Sequence, residues 1–181
     1  SPQRDPAGPL LLVGSLGHAP NRLGTAWFLR AVWPRLRLLL PEATLLIAGP
    51  GSDTLTALPA GVQTAGRVDD IRDIYRRGAL LLAPLPTGGG SRLKILEAWA
   101  SGLPVVSTTA GAAGLQQADR HLIIADQPED FAAAAARLIS NPLQAEVLAR
   151  QARQFVEQHY SWQATLAPLD SLLRSVTGGR S

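Results

Sequence analysis

Residues 84–104 read PLPTGGGSRLKILEAWASGLP, and their neighbours set the context: the apolar run ALLLAP at 79–84 before them and Pro-Val-Val-Ser-Thr at 104–108 after them. Both flanks fit short strands buried on two faces. The segment 91–101 has the apolar spacing of a helix. Strand, glycine loop, helix and strand in succession form a crossover unit. Strands that are apolar throughout, rather than alternating, belong to a parallel sheet covered on both sides by helices.

Working outward, the same pattern repeats. Strands are expected at 10–14, 43–49, 62–66, 79–84, 104–108 and 121–124. Helices are expected at 24–40, kinked or split at Pro34, and then at 69–77, 91–101, 129–140, 143–159 and 161–176. Asp126-Gln127-Pro128 reads as a helix start, and Asn141-Pro142 as a stop. Residues 1–9, polar and rich in Pro and Gly, read as a linker or edge. The domain proper is then 10–160, with a helical tail over 161–181. In a sheet of this class ligands sit beyond the carboxyl ends of the strands. That gathers the loops 14–17, 49–52, 66–69, 87–91 and 108–115 on one edge.

Composition removes several functions. A chain of 181 residues is long enough for one full core. The net charge of +3 and the scattered arginines make no basic stripe, so nucleic acid is not an expected partner. There is no cysteine, hence no disulfide, zinc–thiolate site or thiol nucleophile. No apolar run reaches the ~20 residues that span a bilayer, and no signal peptide opens the chain, so a cytoplasmic domain is expected. The sequence has no methionine, which suggests an incomplete reading frame unless an initiator was removed. Sixteen of its seventeen basic residues are arginine; the exception is Lys94.

Lys94 lies in the segment with the most chemistry. Gly88, Gly89 and Gly90 let the backbone approach a ligand, and the helix start beyond them is a potential anion site. Arg92 and Lys94 place positive charge in the first turn, where cations disfavour the helix itself and a bound diphosphate would reverse the penalty. The loop could equally be a surface turn. Glu97 weighs toward a site: it interrupts the apolar run 93–100, and a capping box from Ser91 would need its acid at position 94. Helical spacing places Gly90, Lys94, Glu97 and Ser101 on one face, where the carboxylate could accept two hydrogen bonds from a ribose diol. The alternative is a solvated Lys94–Glu97 ion pair.

The stretch GGGSRLKILEAWASGLPVVST closely resembles the C-terminal domain of the group-one glycosyltransferases, retaining enzymes of the GT-B fold. The resemblance extends to LLVGSL, LLIAGPG, TAGRVDDIRDIY and the terminal HYSW. The G-x-G-x-R-L-K form of the loop is similar to bacterial exopolysaccharide-type transferases. The resemblance implies one half of a GT-B fold: a Rossmann-like three-layer α/β sandwich with a parallel sheet, plus C-terminal helices. It implies a nucleoside-diphosphate sugar as donor substrate, no separate cofactor, and the protein's own N-terminal domain as partner. It allows peripheral association of the longer protein with the inner face of the membrane. By position, Glu97 corresponds to the ribose-holding second glutamate of a paired motif. Gly89, Gly90, Ser91, Arg92 and Lys94 correspond to the diphosphate site, Arg67 and Val68 to the base contact, and Gly14 and Ser15 to the turn facing the domain cleft. The first glutamate of the pair is replaced by Gly89. Ser15 and Asn21-Arg22 stand where basic residues often follow the first strand, so neutralisation of the diphosphate rests more on Arg92 and Lys94.

The expected function is therefore donor binding for sugar transfer to a saccharide, lipid-linked or small-molecule acceptor, with the domain inactive alone. No metal is implied, since no Asp-x-Asp occurs. A nucleotide-sugar epimerase of the same fold and a non-catalytic nucleotide-binding module are the competing readings. NAD is disfavoured because no G-x-G-x-x-G follows the first strand. A receiver domain is disfavoured because no acidic cluster ends that strand. His18 could reach a donor phosphate or simply sit in an exposed loop; His121, His159 and the four tryptophans read as structural.

Overall fold

The computed structural model describes residues 5–87 and 92–160. Six parallel strands run β1 (Leu10–Val13), β2 (Leu45–Ala48), β3 (Val62–Gly66), β4 (Leu80–Ala83), β5 (Val105–Ser107) and β6 (Ile123–Ile124). They lie side by side in the order β3-β2-β1-β4-β5-β6, the doubly wound Rossmann-like arrangement. Leu10 pairs with Leu45 on one side and Leu80 on the other.

The period of two along each strand divides the core. Leu10, Leu12, Leu45, Ile47, Leu80, Leu82 and Val106 join one cluster with Phe28, Val32, Trp33 and Phe131. Leu11, Ala48, Leu81, Ala83 and Val105 join the other, with Tyr75, Ile95, Trp99 and Phe155. Neither face of the central strands β1, β2, β4 and β5 is left to water, which is why they lack polar alternation, whereas the edge strand β3 leaves Gln63 and Ala65 exposed. Each leucine fully buried in this way contributes about 1.5–3 kcal/mol.

The first face is covered by α1 (Ala19–Trp27), a π-helical segment (Phe28–Val32), α2 (Trp33–Leu39) and α7 (Pro128–Ser140). The other is covered by α3 (Ile71–Arg77), α4 (Leu93–Ala100), α6 (Ala118–His121) and α8 (Pro142–His159). A short helix, α5 (Thr109–Ala112), follows β5.

Several boundaries differ from expectation. The first helix starts at Ala19, not residue 24, with Pro20 in its opening turn, where a missing N–H costs nothing. Pro34 does interrupt the ladder. The break takes the form of a π segment in which Trp33 N–H donates to Phe28 O five residues back. The expected strand at 121–124 shrinks to two residues, because His121 ends α6. The start signal at 126–128 holds, with Gln127 as N-cap and Pro128 opening α7, but the Asp126 side chain is engaged elsewhere. Its carboxylate accepts from Thr109 N (2.8 Å) and Thr109 Oγ1 (2.6 Å), holding the start of α5, while Asn141 Oδ1 caps α8 through Gln144 N. Residues 5–9 lie against the end of α3, where Asp5 N donates to Arg76 O. The expected tail helix at 161–176, with Trp162, lies outside the described residues.

Candidate functional site

The strand order reverses between β1 and β4. The chain leaves the carboxyl ends of these neighbours toward opposite faces, which opens the crevice where sheets of this class bind ligands. The β1 turn is held firmly. Asn21 Nδ2 donates to Ser15 O (3.0 Å), Arg22 Nη1 to Leu16 O (3.1 Å), and Leu16 N to Pro50 O (2.9 Å). Gly14 sits at φ +141, and a Cβ there would stand 2.6 Å from Asn21 Nδ2 and 2.9 Å from Lys94 Nζ. Gly24 brings α1 against the backbone after β4: a Cβ would fall 2.0 Å from Pro84 O.

From the β4 side comes α4. Lys94 reaches across the crevice and donates from Nζ to Asn21 Oδ1 at 2.6 Å. Burial pushes its pKa down to about 8, with the charge of Glu97 opposing the shift. No ion pair joins Lys94 to Glu97; the four ion pairs among the described residues lie elsewhere. Beside Lys94, Gly14, Asn21, Gly24, Thr25 and Pro84 line a recess of ≈ 10 Å³, room for about one water.

Glu97, one turn on, is exposed, yet one of its oxygens is fixed. Tyr75, fully buried on α3, donates from its hydroxyl to Glu97 Oε2 at 2.9 Å. Burial, and then the Glu97 charge, pushes the tyrosine pKa up, so the phenol stays protonated as a donor. The other oxygen, Oε1, has no protein partner among the described residues.

Arg92 is placed differently from a side chain aimed only at a ligand. Its backbone is left-handed, at φ +54, and it holds the N-cap position of α4 through its carbonyl, with no capping bond from its side chain. Its guanidinium donates from Nε to Ala113 O and from Nη2 to Ala110 O, both at 3.0 Å. It thus ties the glycine loop's exit to the α5 segment. Gly89, Gly90 and Ser91 lie outside the described residues.

On the other side of β1, Gly66 N donates to the buried Ser52 Oγ at 3.0 Å, joining the β3 loop to the β2 loop. Arg67 is exposed, and Val68, half-buried, packs against the core cluster that holds Tyr75 and Trp99. Asp70 caps α3 through Arg72 N, and the Arg72 guanidinium beside it holds its carboxyl below the usual range.

The structure brings Gly14, Ser15 and Lys94 together through Asn21, and joins Glu97 to Tyr75. Tyr75 and the Asn21 amide were not singled out from sequence as site residues. Tyr75 carried a signal, since a tyrosine on the apolar face of a short helix needs a partner for its hydroxyl. His18 is exposed at the start of α1. His121 is remote from the crevice, stacked on Phe155 at 4.3 Å, with Phe155 in turn stacked on His159 at 4.3 Å. Among the described residues no group of three or more His, Cys, Asp or Glu could hold a metal ion, and no helix is long and apolar enough to cross a membrane.

Residues 8–141 match the family described as glycosyl transferases group 1. A D-inositol 3-phosphate glycosyltransferase of Rhodococcus jostii (strain RHA1) is 30% identical over 155 residues, which cover 75% of this chain and 33% of that protein. The chain spans 32–42% of the length of the curated relatives it matches. The C-terminal domain of a glycosyl transferase group 1 family protein (LpcC) from Francisella tularensis superposes with a TM-score of 0.67 at 21% identity, over 86% of this chain and 87% of that one. Anabaena HepE in complex with UDP and glucose superposes with a TM-score of 0.68 at 17% identity, over 97% of this chain and 50% of that one.

Proposed function

Because the chain belongs to the glycosyl transferases group 1 family, we propose that its switch-point crevice binds the nucleoside-diphosphate sugar from which a sugar is transferred. The observation that carries this reading is the placement of Lys94. Its ammonium stands at the ends of β1 and β4, held by a neutral amide rather than in an ion pair with a carboxylate, so its charge is not cancelled at contact and can act on an anionic ligand. Glu97 follows at one helical turn, with one oxygen anchored and the other open to a ribose hydroxyl. UDP in the structure of HepE supports the ligand class.

In this reading Lys94 and the start of α4 neutralise the diphosphate as it leaves the sugar, work that needs no metal from these residues. Arg92 shapes the loop through Ala110 and Ala113 while adding charge nearby. The 66–68 loop, tied to Ser52, lies where the base would rest, and the Gly14–Ser15 turn faces the acceptor side. The acceptor surface and water exclusion come from a second domain that closes over the donor.

Titration with UDP and GDP tests the reading. Glu97→Ala removes up to two hydrogen bonds to the ribose and should weaken binding by roughly 1–3 kcal/mol. Unchanged affinity would sink the ribose assignment. The 181-residue chain by itself is expected to bind donor and transfer nothing; robust transfer by it would overturn the two-domain reading.

A further inference from the structure

We propose that Asn21 is the positioning residue of this site, fixing the Lys94 ammonium across the switch point for the donor diphosphate. The inference deepens the donor-site reading and rests on it for the ligand, though not for the contact. Asn21 sits in the first turn of α1, which follows β1, and Lys94 in the first turn of α4, which follows β4. Their hydrogen bond of 2.6 Å joins residues 73 apart in sequence and spans the crevice where the strand order reverses.

Both poles of the Asn21 amide are committed. Nδ2 donates to Ser15 O at 3.0 Å, which leaves Oδ1 facing the ammonium; the flipped amide would set two donors against each other. Gly14 completes the device, since a side chain there would collide with both Asn21 Nδ2 and Lys94 Nζ. A lysine stem is long and flexible, and a point charge on it acts at a phosphate only where it is held. The choice of an amide has a chemical consequence. An aspartate would hold the ammonium equally well and cancel its charge, whereas asparagine holds it and leaves the charge for the ligand. Burial of Lys94 agrees with this geometry, because it places the amine where a fixed acceptor matters most.

Lys94 is the only lysine of the chain, so biosynthetic labelling with 13C- and 15N-lysine gives one side-chain signal to follow by NMR. In the native sequence that signal should titrate near pH 8 and move on addition of UDP. Asn21→Ala removes the acceptor that favours the charged amine while its burial remains. The midpoint should fall below that of the native sequence, and UDP affinity should fall by about five- to twentyfold with uridine affinity unchanged. Asn21→Asp keeps the shape, guards against a failure of the alanine variant to fold, and should raise the midpoint through the added carboxylate while weakening UDP. A lysine midpoint that is the same in all three chains overturns the proposal. A midpoint that responds to Asn21, in a chain whose lysine signal ignores UDP, supports the clasp and overturns the donor reading instead.

Discussion

Tyr75→Phe isolates what holds Glu97 in place. The ring is fully buried, so phenylalanine fills the same space and removes one oxygen. That oxygen donates to Glu97 Oε2 at 2.9 Å; the 3.4 Å approach to Lys94 O is too long to compete. A hydrogen bond to a charged acceptor contributes about 1.5–3 kcal/mol, but Glu97 is exposed and its carboxylate can turn back to water. The expected loss of stability is therefore about 1 kcal/mol, or roughly 2–4 °C in Tm for a domain of this size. Affinity should change for a separate reason. An untethered carboxylate must be ordered when the ribose binds, at a cost of about 0.5–1.5 kcal/mol, which is a two- to tenfold weaker Kd for UDP. Chemical denaturation and calorimetry give both numbers, and a double-mutant cycle with Glu97→Ala gives the coupling. If the two substitutions add to within about 0.3 kcal/mol in UDP binding, Tyr75 does not position Glu97 and the reasoning fails.

Lys94→Ala should weaken UDP strongly and uridine hardly at all, because the point charge acts on the diphosphate. The pH dependence follows from the lowered pKa: UDP affinity of the native sequence should decline as pH rises through about 8, where the ammonium loses its proton, and Lys94→Ala should flatten that limb in calorimetric titrations. Gly24→Ala would place a Cβ 2.0 Å from Pro84 O, forcing α1 off the β4 exit, and should cost about 1–3 kcal/mol or more by urea unfolding. Among the described residues neither ring nitrogen of His121 has a hydrogen-bond partner, and burial first, then Arg120, pulls its pKa down. The unfolded chain then takes up the proton first, so stability holds above the ordinary value of 6.5 and falls as pH drops below it. His121→Phe should remove that acid-side slope; an unaltered slope would assign it to another group.

The strands were legible because burial on both faces leaves an apolar run that little else produces, as in Leu80–Ala83. The two short helices between β5 and β6 were not. Each has four residues, and α5 is fixed by Asp126, which lies beyond it in the chain, just ahead of the start of α7. Gly24 read as the edge of a helix, whereas it is a contact point inside one. At the site, residue type carried Lys94 and Glu97 but not what they touch. Asn21 and Tyr75 reach them from 73 and 22 residues away, distances over which local spacing says nothing. At Arg92 the charge is visible in sequence, whereas the left-handed backbone and the hydrogen bonds from its guanidinium to Ala110 and Ala113 are not.

The seam between β1 and β4 also dates the site within folding. Each half of the sheet closes through crossovers of modest length, β1 to β2 to β3 and β4 to β5 to β6, whereas pairing Leu10 with Leu80 closes a much longer loop. Long closures form late, because their entropy is lost before any contact repays it. Asn21 and Lys94 belong to opposite halves, so the crevice does not exist until the halves dock. Nucleotide added during refolding would therefore leave the early phases untouched and slow the return from the docked state. Its kinetic signature would be a reduced unfolding rate with the folding rate unchanged.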